Sequence, residues 1–244
     1  MKPFLILQLR PEDAASDSEF RAFVEKGEMA EGQTHRVRLD QVSLPEGFSL
    51  DDYAGVIVGG GPGCVSDDPA TRDPVEARAE AEILALMPEI TRRDFPFMGC
   101  CAGIGILAHH LGAEVSKRRY SEPVMPVKCQ MTEEGENDPL LNGLLREFHA
   151  YVGHKEAVQE LPDGAVHLVA SDGCPFQMIR HGSHVYATQF HPEADGPIFA
   201  ERIQIYRNKG YFKPEEAEAL TERCLSADVT EPPRMLARFV ARYG

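Results

Sequence analysis

Two short segments of the chain carry residues that could act together in nucleophilic catalysis. In the first, an apolar run ends at Gly99, Cys101 follows it, and a helical pattern starts directly afterwards. This order of strand, nucleophile and helix is typical of a nucleophile elbow, a tight turn that exposes the reactive side chain. The positive end of the helix dipole and the free N–H groups at that point also favour a thiolate. The segment therefore predicts that Cys101 is a reactive thiol.

The second segment is His191-Pro192-Glu193. Pro192 disfavours the helical conformation for His191, and Glu193 follows closely enough to orient the imidazole ring. A cysteine nucleophile, a histidine base and a carboxylate that orients the base together form a catalytic triad. A His-Pro-Glu sequence indicates little alone, so the hypothesis depends on its combination with Cys101.

A glycine-rich loop, residues 59–63, follows a short apolar run and forms a third element. Glycines allow the backbone to approach a ligand closely. We predict that the backbone N–H groups of Gly61 and Ala102 hold a developing oxyanion. The loop lacks the Lys-Ser/Thr pair of a phosphate-binding P-loop and the G-x-G-x-x-G spacing of a dinucleotide site.

These three segments, in this order, resemble the class I glutamine amidotransferases. That family carries a G-G-P loop, then the motif G-x-C-x-G-x-Q, and finally a late H-P-E. The corresponding segments of this chain are residues 60–62, 99–105 and 191–193. The resemblance extends over most of residues 1–195, and the likeness is to stand-alone homologues of the GMP synthase amidotransferase domain.

The resemblance implies a mechanism and a set of site residues. Cys101 is expected to be the nucleophile, His191 the base and Glu193 its orienting partner. A γ-glutamyl thioester would form on the cysteine, ammonia would leave, and water would release glutamate. The substrate is expected to be a small γ-glutamyl molecule, with Gly60, Gly105 and His154 among its contacts, and no cofactor is expected.

One position departs from the family motif. The last residue of that motif is a glutamine that helps to hold the substrate glutamine, and this chain has Gly105 there. The missing side chain leaves two alternatives open. Either the pocket accepts a larger γ-glutamyl compound and uses glutamine poorly, or another residue supplies the missing hydrogen bond and specificity is unchanged.

Three functions are compatible with these residues. The first is a free-standing hydrolase of γ-glutamyl amide bonds, and the second is an ammonia-supplying subunit of a separate synthetase chain. Because no synthetase module follows before Gly244, the sequence leaves both open. The third is a binding or regulatory protein without activity, and the presence of Cys101, His191 and Glu193 together counts against it.

The elements that must position these residues alternate between strand and helix in the first half of the chain. This pattern predicts an α/β fold with a mostly parallel sheet and helices on both faces. Short links in the second half favour antiparallel additions to that sheet. The strand-like ranges are 4–9, 34–39, 56–58, 95–98, 124–131, 149–154, 166–170, 176–179 and 185–188, and the helical ranges are 17–26, 104–111, 197–207, 214–224 and 233–243.

A longer helix is predicted from its capping signals. Asp73 can cap the helix, Pro74 suits its first position, and Glu76 lies three residues after the cap. Apolar residues then recur at steps of three and four, and Pro88 is expected to kink or end the helix.

The family resemblance makes the expected fold flavodoxin-like and doubly wound, with an open sheet. We expect residues 1–244 to form one domain, with a core at 1–195 and a helical tail at 196–244.

Composition excludes several classes of partner. The chain of 244 residues has 25 Lys and Arg against 39 Asp and Glu, a net charge of −14. This charge argues against binding to nucleic acid or to an anionic membrane surface. The first apolar run is too short to span a bilayer and precedes no signal cleavage site, so a cytoplasmic protein is expected.

The cysteine pattern predicts neither a metal site nor a disulfide framework. The six cysteines show no paired C-x-x-C spacing, and no His/Cys/Asp cluster has the spacing of a metal site. Cys100 is expected to point into the core, away from the reactive side of the elbow.

Overall fold

The computed structural model describes residues 2–244, which form one large mixed sheet flanked by helices. The strands are β1 (Phe4–Gln8), β2 (Thr34–Arg38), β3 (Gly55–Val58), β4 (Phe97–Cys100), β5 (Val115–Ser116), β6 (Glu122–Met131), β7 (Glu147–His154), β8 (Ala157–Val158), β9 (Ala165–Ser171), β10 (Met178–His181) and β11 (Val185–Thr188). The helices are α1 (Asp13–Lys26), α2 (Pro74–Arg93), α3 (Ala102–His110), α4 (Glu133–Asn137), α5 (Gly196–Tyr206), α6 (Ala217–Ser226) and α7 (Glu231–Tyr243).

The strand order explains how the two halves of the site meet. Within the described residues the main sheet has nine strands in the order β2-β1-β3-β4-β11-β10-β9-β6-β7. The pairs among β1, β2, β3 and β4 are parallel, and those among β9, β10 and β11 are antiparallel. β11 nevertheless pairs with β4 in parallel, with Thr188 opposite Cys100. The segments that follow these two strands therefore leave the sheet side by side.

Several sequence-based boundaries differ from the structure. α1 begins at Asp13, four residues before the predicted start. Its first turns are held to β1, because the Gln8 side chain donates to the carbonyl of Ser16 at 2.7 Å. The small β5–β8 sheet and the short helix α4 were absent from the prediction.

Pro88 neither ends α2 nor marks its boundary. The helix continues to Arg93, because Met87 and Ile90 on either side of the proline are buried on the same face. Pro88 itself lies on the exposed side. The predicted cap is confirmed, since the Asp73 side chain accepts from the N–H groups of Val75 and Glu76.

The sheet separates two hydrophobic cores because successive side chains of a strand point to opposite faces. Phe4 and Ile6 of β1 lie in one core, while Leu5 and Leu7 lie in the other. α7 contributes Phe239 to the first core. A core shared by β1 and α7 supports the prediction of a single domain. The division into a core at 1–195 and a helical tail at 196–244 stays a prediction. No helix within residues 2–244 is both long and apolar enough to cross a membrane.

Candidate active site

Cys101 occupies the sharp turn between β4 and α3. Its backbone has φ 55° and ψ −90°, which is an unusual conformation for a residue with a side chain. The turn is held by the Cys101 N–H, which donates to the Thr188 carbonyl at 2.8 Å. A Cβ atom at Gly99 would lie 2.8 Å from the backbone carbon of Gly103, so the turn is too tight for a side chain there. The structure thus places Cys101 at an elbow, partly exposed.

The neighbouring Cys100 has a different environment. Its side chain is fully buried in the hydrophobic core that also contains Phe4 and Ile6. Burial and the carboxylates of Glu193 and Glu19 raise the pKa of the Cys100 thiol well above its usual range. A protonated and enclosed thiol is a poor nucleophile, so the two adjacent cysteines are chemically distinct.

His191 and Glu193 lie close to Cys101 and contact each other. Both residues are buried, and Nδ1 of His191 is 2.9 Å from Oε1 of Glu193. Burial alone would lower the pKa of His191. The Glu193 carboxylate and the Cys101 side chain outweigh that effect and raise it to about 9. The arrangement favours the imidazolium form of His191 beside the Glu193 carboxylate.

Arg202 of α5 completes this buried group, and sequence reasoning missed it. Its Nη1 donates to Oε1 of Glu193 at 2.7 Å. Burial would raise the pKa of Glu193, but His191 and Arg202 hold it well below its usual range. The carboxylate therefore remains ionised between two cations. The only signal in the sequence was a cation on the apolar face of the helix after the His-Pro-Glu segment.

The glycine loop packs on a second buried ion pair. Glu19 of α1 accepts from the Gly60 N–H at 3.0 Å and from Nε of Arg10 at 2.8 Å. A Cβ atom at Gly59 would collide with the Glu19 carboxylate, which explains the glycine at that position. The Gly60 N–H thus faces the interior rather than a substrate, whereas Gly61 lines the cavity described next.

A cavity of about 540 Å³ opens beside Cys101. It is lined by four of the residues predicted to contact substrate or oxyanion, namely Gly61, Ala102, Gly105 and His154, and Gly60 is not among its lining residues. The Ala102 N–H belongs to the first turn of α3, where backbone donors have no partner within the helix. A smaller cavity of about 50 Å³ lies on the His191 side and is walled by residues of α5 and the segment after it.

Glu156 occupies the space next to Gly105. A Cβ atom at Gly105 would lie 3.1 Å from Oε1 of Glu156. That carboxylate accepts from the N–H groups of Val65 and Ser66, each at 3.0 Å, and from the Ser66 hydroxyl at 2.7 Å. Of the two alternatives for Gly105, this contact favours the one in which another residue replaces the missing side chain.

His154 stands at the wall of the same cavity. Its Nε2 is 2.9 Å from Oε2 of Glu122, and its Nδ1 is 2.8 Å from the Glu156 carbonyl. Among residues 2–244, the potential metal ligands Glu122, His154 and Cys174 have their ligand atoms within 4.8 Å of one another. Glu122 also accepts from Gln177 at 2.6 Å. These protein contacts already provide hydrogen bonds to the Glu122 carboxylate, so its burial is explained without a bound cation.

Comparison with known proteins agrees with the residue patterns. The profile of the family described as Glutamine amidotransferase class-I matches residues 16–203. The chain is 30% identical over 163 residues to one subunit of the glutamine-hydrolyzing GMP synthase of Archaeoglobus fulgidus, covering 65% of this chain and 75% of that protein. It is also 30% identical over 155 residues to the glutamine-hydrolyzing GMP synthase of Thermosipho africanus, of which it spans only 26%.

Solved structures share the fold. A glutamine amidotransferase from Thermotoga maritima has a TM-score of 0.76 at 17% identity, covering 99% of this chain and 98% of that one. A glutamine amidotransferase from Methylobacillus flagellatus has a TM-score of 0.73 at 21% identity, covering 100% and 94%. The expected flavodoxin-like α/β architecture is therefore confirmed.

Proposed function

Because the chain belongs to the class I glutamine amidotransferase family, we propose that it hydrolyses the γ-amide bond of glutamine or a related γ-glutamyl compound. Catalysis would use Cys101, His191 and Glu193 as a triad. The single observation that supports this most is the placement of Cys101 at an elbow, against a histidine that contacts a buried carboxylate at 2.9 Å. The test is glutamate release from glutamine and from a panel of γ-glutamyl compounds, with Cys101→Ala as the blank.

The proposed reaction has two halves. The Cys101 thiolate attacks the γ-carbonyl carbon, and the N–H groups of Gly61 and Ala102 hold the developing oxyanion. The C–N bond then breaks as His191 gives its proton to the leaving nitrogen, which departs as ammonia. In the second half, His191 accepts a proton from water, the resulting hydroxide attacks the thioester, and glutamate leaves as the thiolate is restored. Glu193 fixes the orientation of the imidazole ring and stabilises its positive charge.

A second candidate function is supply of ammonia to a separate synthetase chain. The relative from Archaeoglobus fulgidus, which the chain covers over 75% of its length, is one subunit of a GMP synthase. In this role the chain would hydrolyse glutamine slowly alone and faster with its partner. Co-purification with a synthetase chain, and stimulation of glutamine hydrolysis on mixing, would support it. Unchanged hydrolysis and no association would favour the free-standing hydrolase.

We also propose that the protein is located in the cytoplasm.

Selective alkylation is expected to identify the nucleophile. A γ-glutamyl chloroketone should label Cys101 and leave Cys100 unmodified, because only the first is partly exposed. Mass spectrometry of peptides from the labelled protein measures the position of the adduct. Labelling that persists in Cys101→Ala, or an adduct on Cys100, would contradict this assignment.

Glu19 is expected to position the oxyanion loop. Loss of one oxyanion donor lowers kcat by about 100- to 1,000-fold, and its misplacement should cause part of that loss. We expect Glu19→Ala to reduce kcat by roughly 10- to 100-fold with little change in KM, and Glu19→Gln to retain more activity because its amide oxygen can accept the Gly60 N–H.

Two measurements separate positioning from general damage. Alkylation of Cys101 by iodoacetamide, which forms no oxyanion, should proceed at an unchanged rate in Glu19→Ala. Glu201→Gln serves as the control. Glu201 is an exposed carboxylate on α5 that accepts a hydrogen bond from Ser18, which lies on the same helix as Glu19. An equal loss in turnover and in alkylation would show that Glu19 only maintains the fold.

A further inference from the structure

The position of Glu156 carries an inference about substrate recognition that rests on the proposed function. We propose that the Glu156 carboxylate binds the α-ammonium group of the γ-glutamyl substrate, at the place left open by Gly105. Glu156 lines the large cavity that also contains Cys101. Three further observations support this assignment: the reach of the substrate, a remaining acceptor site on the carboxylate, and the charge around it.

The reach of a γ-glutamyl group matches the spacing along α3. Gly105 follows Cys101 by four residues, and a rise of about 1.5 Å per residue places it about 6 Å further along the helix. Three carbon–carbon bonds of about 1.5 Å separate the γ-carbonyl carbon from the α-carbon, so an extended chain reaches about 4 Å, and its α-substituents extend one bond further. A group bonded to Cys101 therefore brings its α-ammonium to the level of Gly105.

The carboxylate has an acceptor site that faces this position. Oε2 of Glu156 accepts from both the N–H and the hydroxyl of Ser66, whereas Oε1 accepts from the N–H of Val65. A carboxylate oxygen can accept two hydrogen bonds, so Oε1 has room for a further donor. Oε1 is also the atom that lies 3.1 Å from the Cβ position of Gly105. The free acceptor thus lies where the family places a side chain that binds substrate.

The surrounding charge selects a cation. Beside Glu156 lies a small cavity whose lining also includes Glu76 and Glu80. Arg72 pairs with Glu80 at 2.7 Å, so Glu76 and Glu156 supply the net negative charge on this side. An ammonium group is attracted to this side, and a carboxylate group is repelled. Lys155 provides the opposite charge elsewhere in the cavity, with its Nζ 5.0 Å from the centroid of the Tyr211 ring. The zwitterionic amino-acid end of the substrate would therefore bind with its ammonium group toward Glu156.

The test compares two substrates that differ only in the α-ammonium group, glutamine and glutaramate, with release of ammonia measured for both. Wild-type protein should prefer glutamine in kcat/KM by roughly 10- to 150-fold, the range for a hydrogen bond between charged groups. In Glu156→Gln the preference should fall toward unity, through loss of glutamine hydrolysis alone.

Two control variants keep the result interpretable. Glu114→Gln removes an exposed carboxylate next to the cavity-lining residue Val115, and its preference should equal that of wild type. Ser66→Ala removes one hydrogen bond to Glu156 but keeps the charge, so its preference should also be retained. An unchanged preference in Glu156→Gln, or equal losses on both substrates, overturns this inference and leaves the proposed function in place. Wild-type protein that hydrolyses neither compound overturns the proposed function and this inference with it.

Discussion

Replacing either Cys101 or His191 with alanine is expected to lower turnover by on the order of 10⁴, and the double variant should lose no more. In the proposed mechanism the two side chains act on the same bond-breaking step, so neither contributes without the other. The contact between them supports this view, since the Cys101 side chain is one of the groups that raise the pKa of His191. Residual activity would reflect the oxyanion donors and substrate binding.

Steady-state kinetics of the single and double variants on the same substrate measure this non-additivity. Cys100→Ala is the matched control, since it removes an adjacent thiol that is fully buried. It should keep turnover close to wild type despite some loss of stability. Full activity in His191→Ala, or additive losses in the double variant, would show that the two residues do not act as a unit.

Glu193→Gln is expected to move the alkaline limit of activity to lower pH. The pKa of His191 is about 9 in the native protein, so its imidazolium form persists to that pH and can protonate the leaving group. The charge of the Glu193 carboxylate is the largest single cause that raises this pKa against the effect of burial. Its removal lowers the pKa of His191, so the imidazolium is lost earlier as the pH rises.

The same variant should lose less turnover than His191→Ala, by a factor of roughly 10 to 100, because Glu193 transfers no proton. The profile of kcat/KM against pH for both proteins measures the shift. Glu201→Gln controls for removal of a carboxylate from the same region, since that side chain is half exposed. An alkaline limit that stays in place, or moves upward, would contradict the assigned role of Glu193.

The fold was predictable where local signals determine it. β11 has the predicted bounds, and the Asp73 cap forms as expected, because apolar runs and caps depend on neighbouring residues. The return of β11 to the side of β4 was not predicted, since it depends on pairing between distant strands. The continuation of α2 past Pro88 was not predicted for a similar reason: burial of the helix face outweighs the hydrogen bond that a proline removes.

The candidate site was likewise predictable from local motifs and unpredictable where distant residues meet. Cys101, His191 and Glu193 could be proposed from short motifs, and the structure brings them together. Their supporting groups could not be identified from the sequence. Arg202 reaches the site from a helix after the motif, and Glu19 reaches the glycine loop from α1, far earlier in the chain. For Arg202 the sequence offers only its position on the apolar face of that helix. No local pattern distinguishes Glu19 from a carboxylate on a solvated surface.

The backbone conformation of Cys101 also limits how this chain can evolve. A side chain at φ 55° and ψ −90° costs about 1–3 kcal/mol relative to a relaxed residue, and glycine would relieve most of it. Selection for stability alone would therefore replace this cysteine. A lineage released from catalysis could accept glycine at once and gain tolerance for other mutations. The proposed nucleophilic role of Cys101 accounts for a side chain kept at this position at the expense of folding stability.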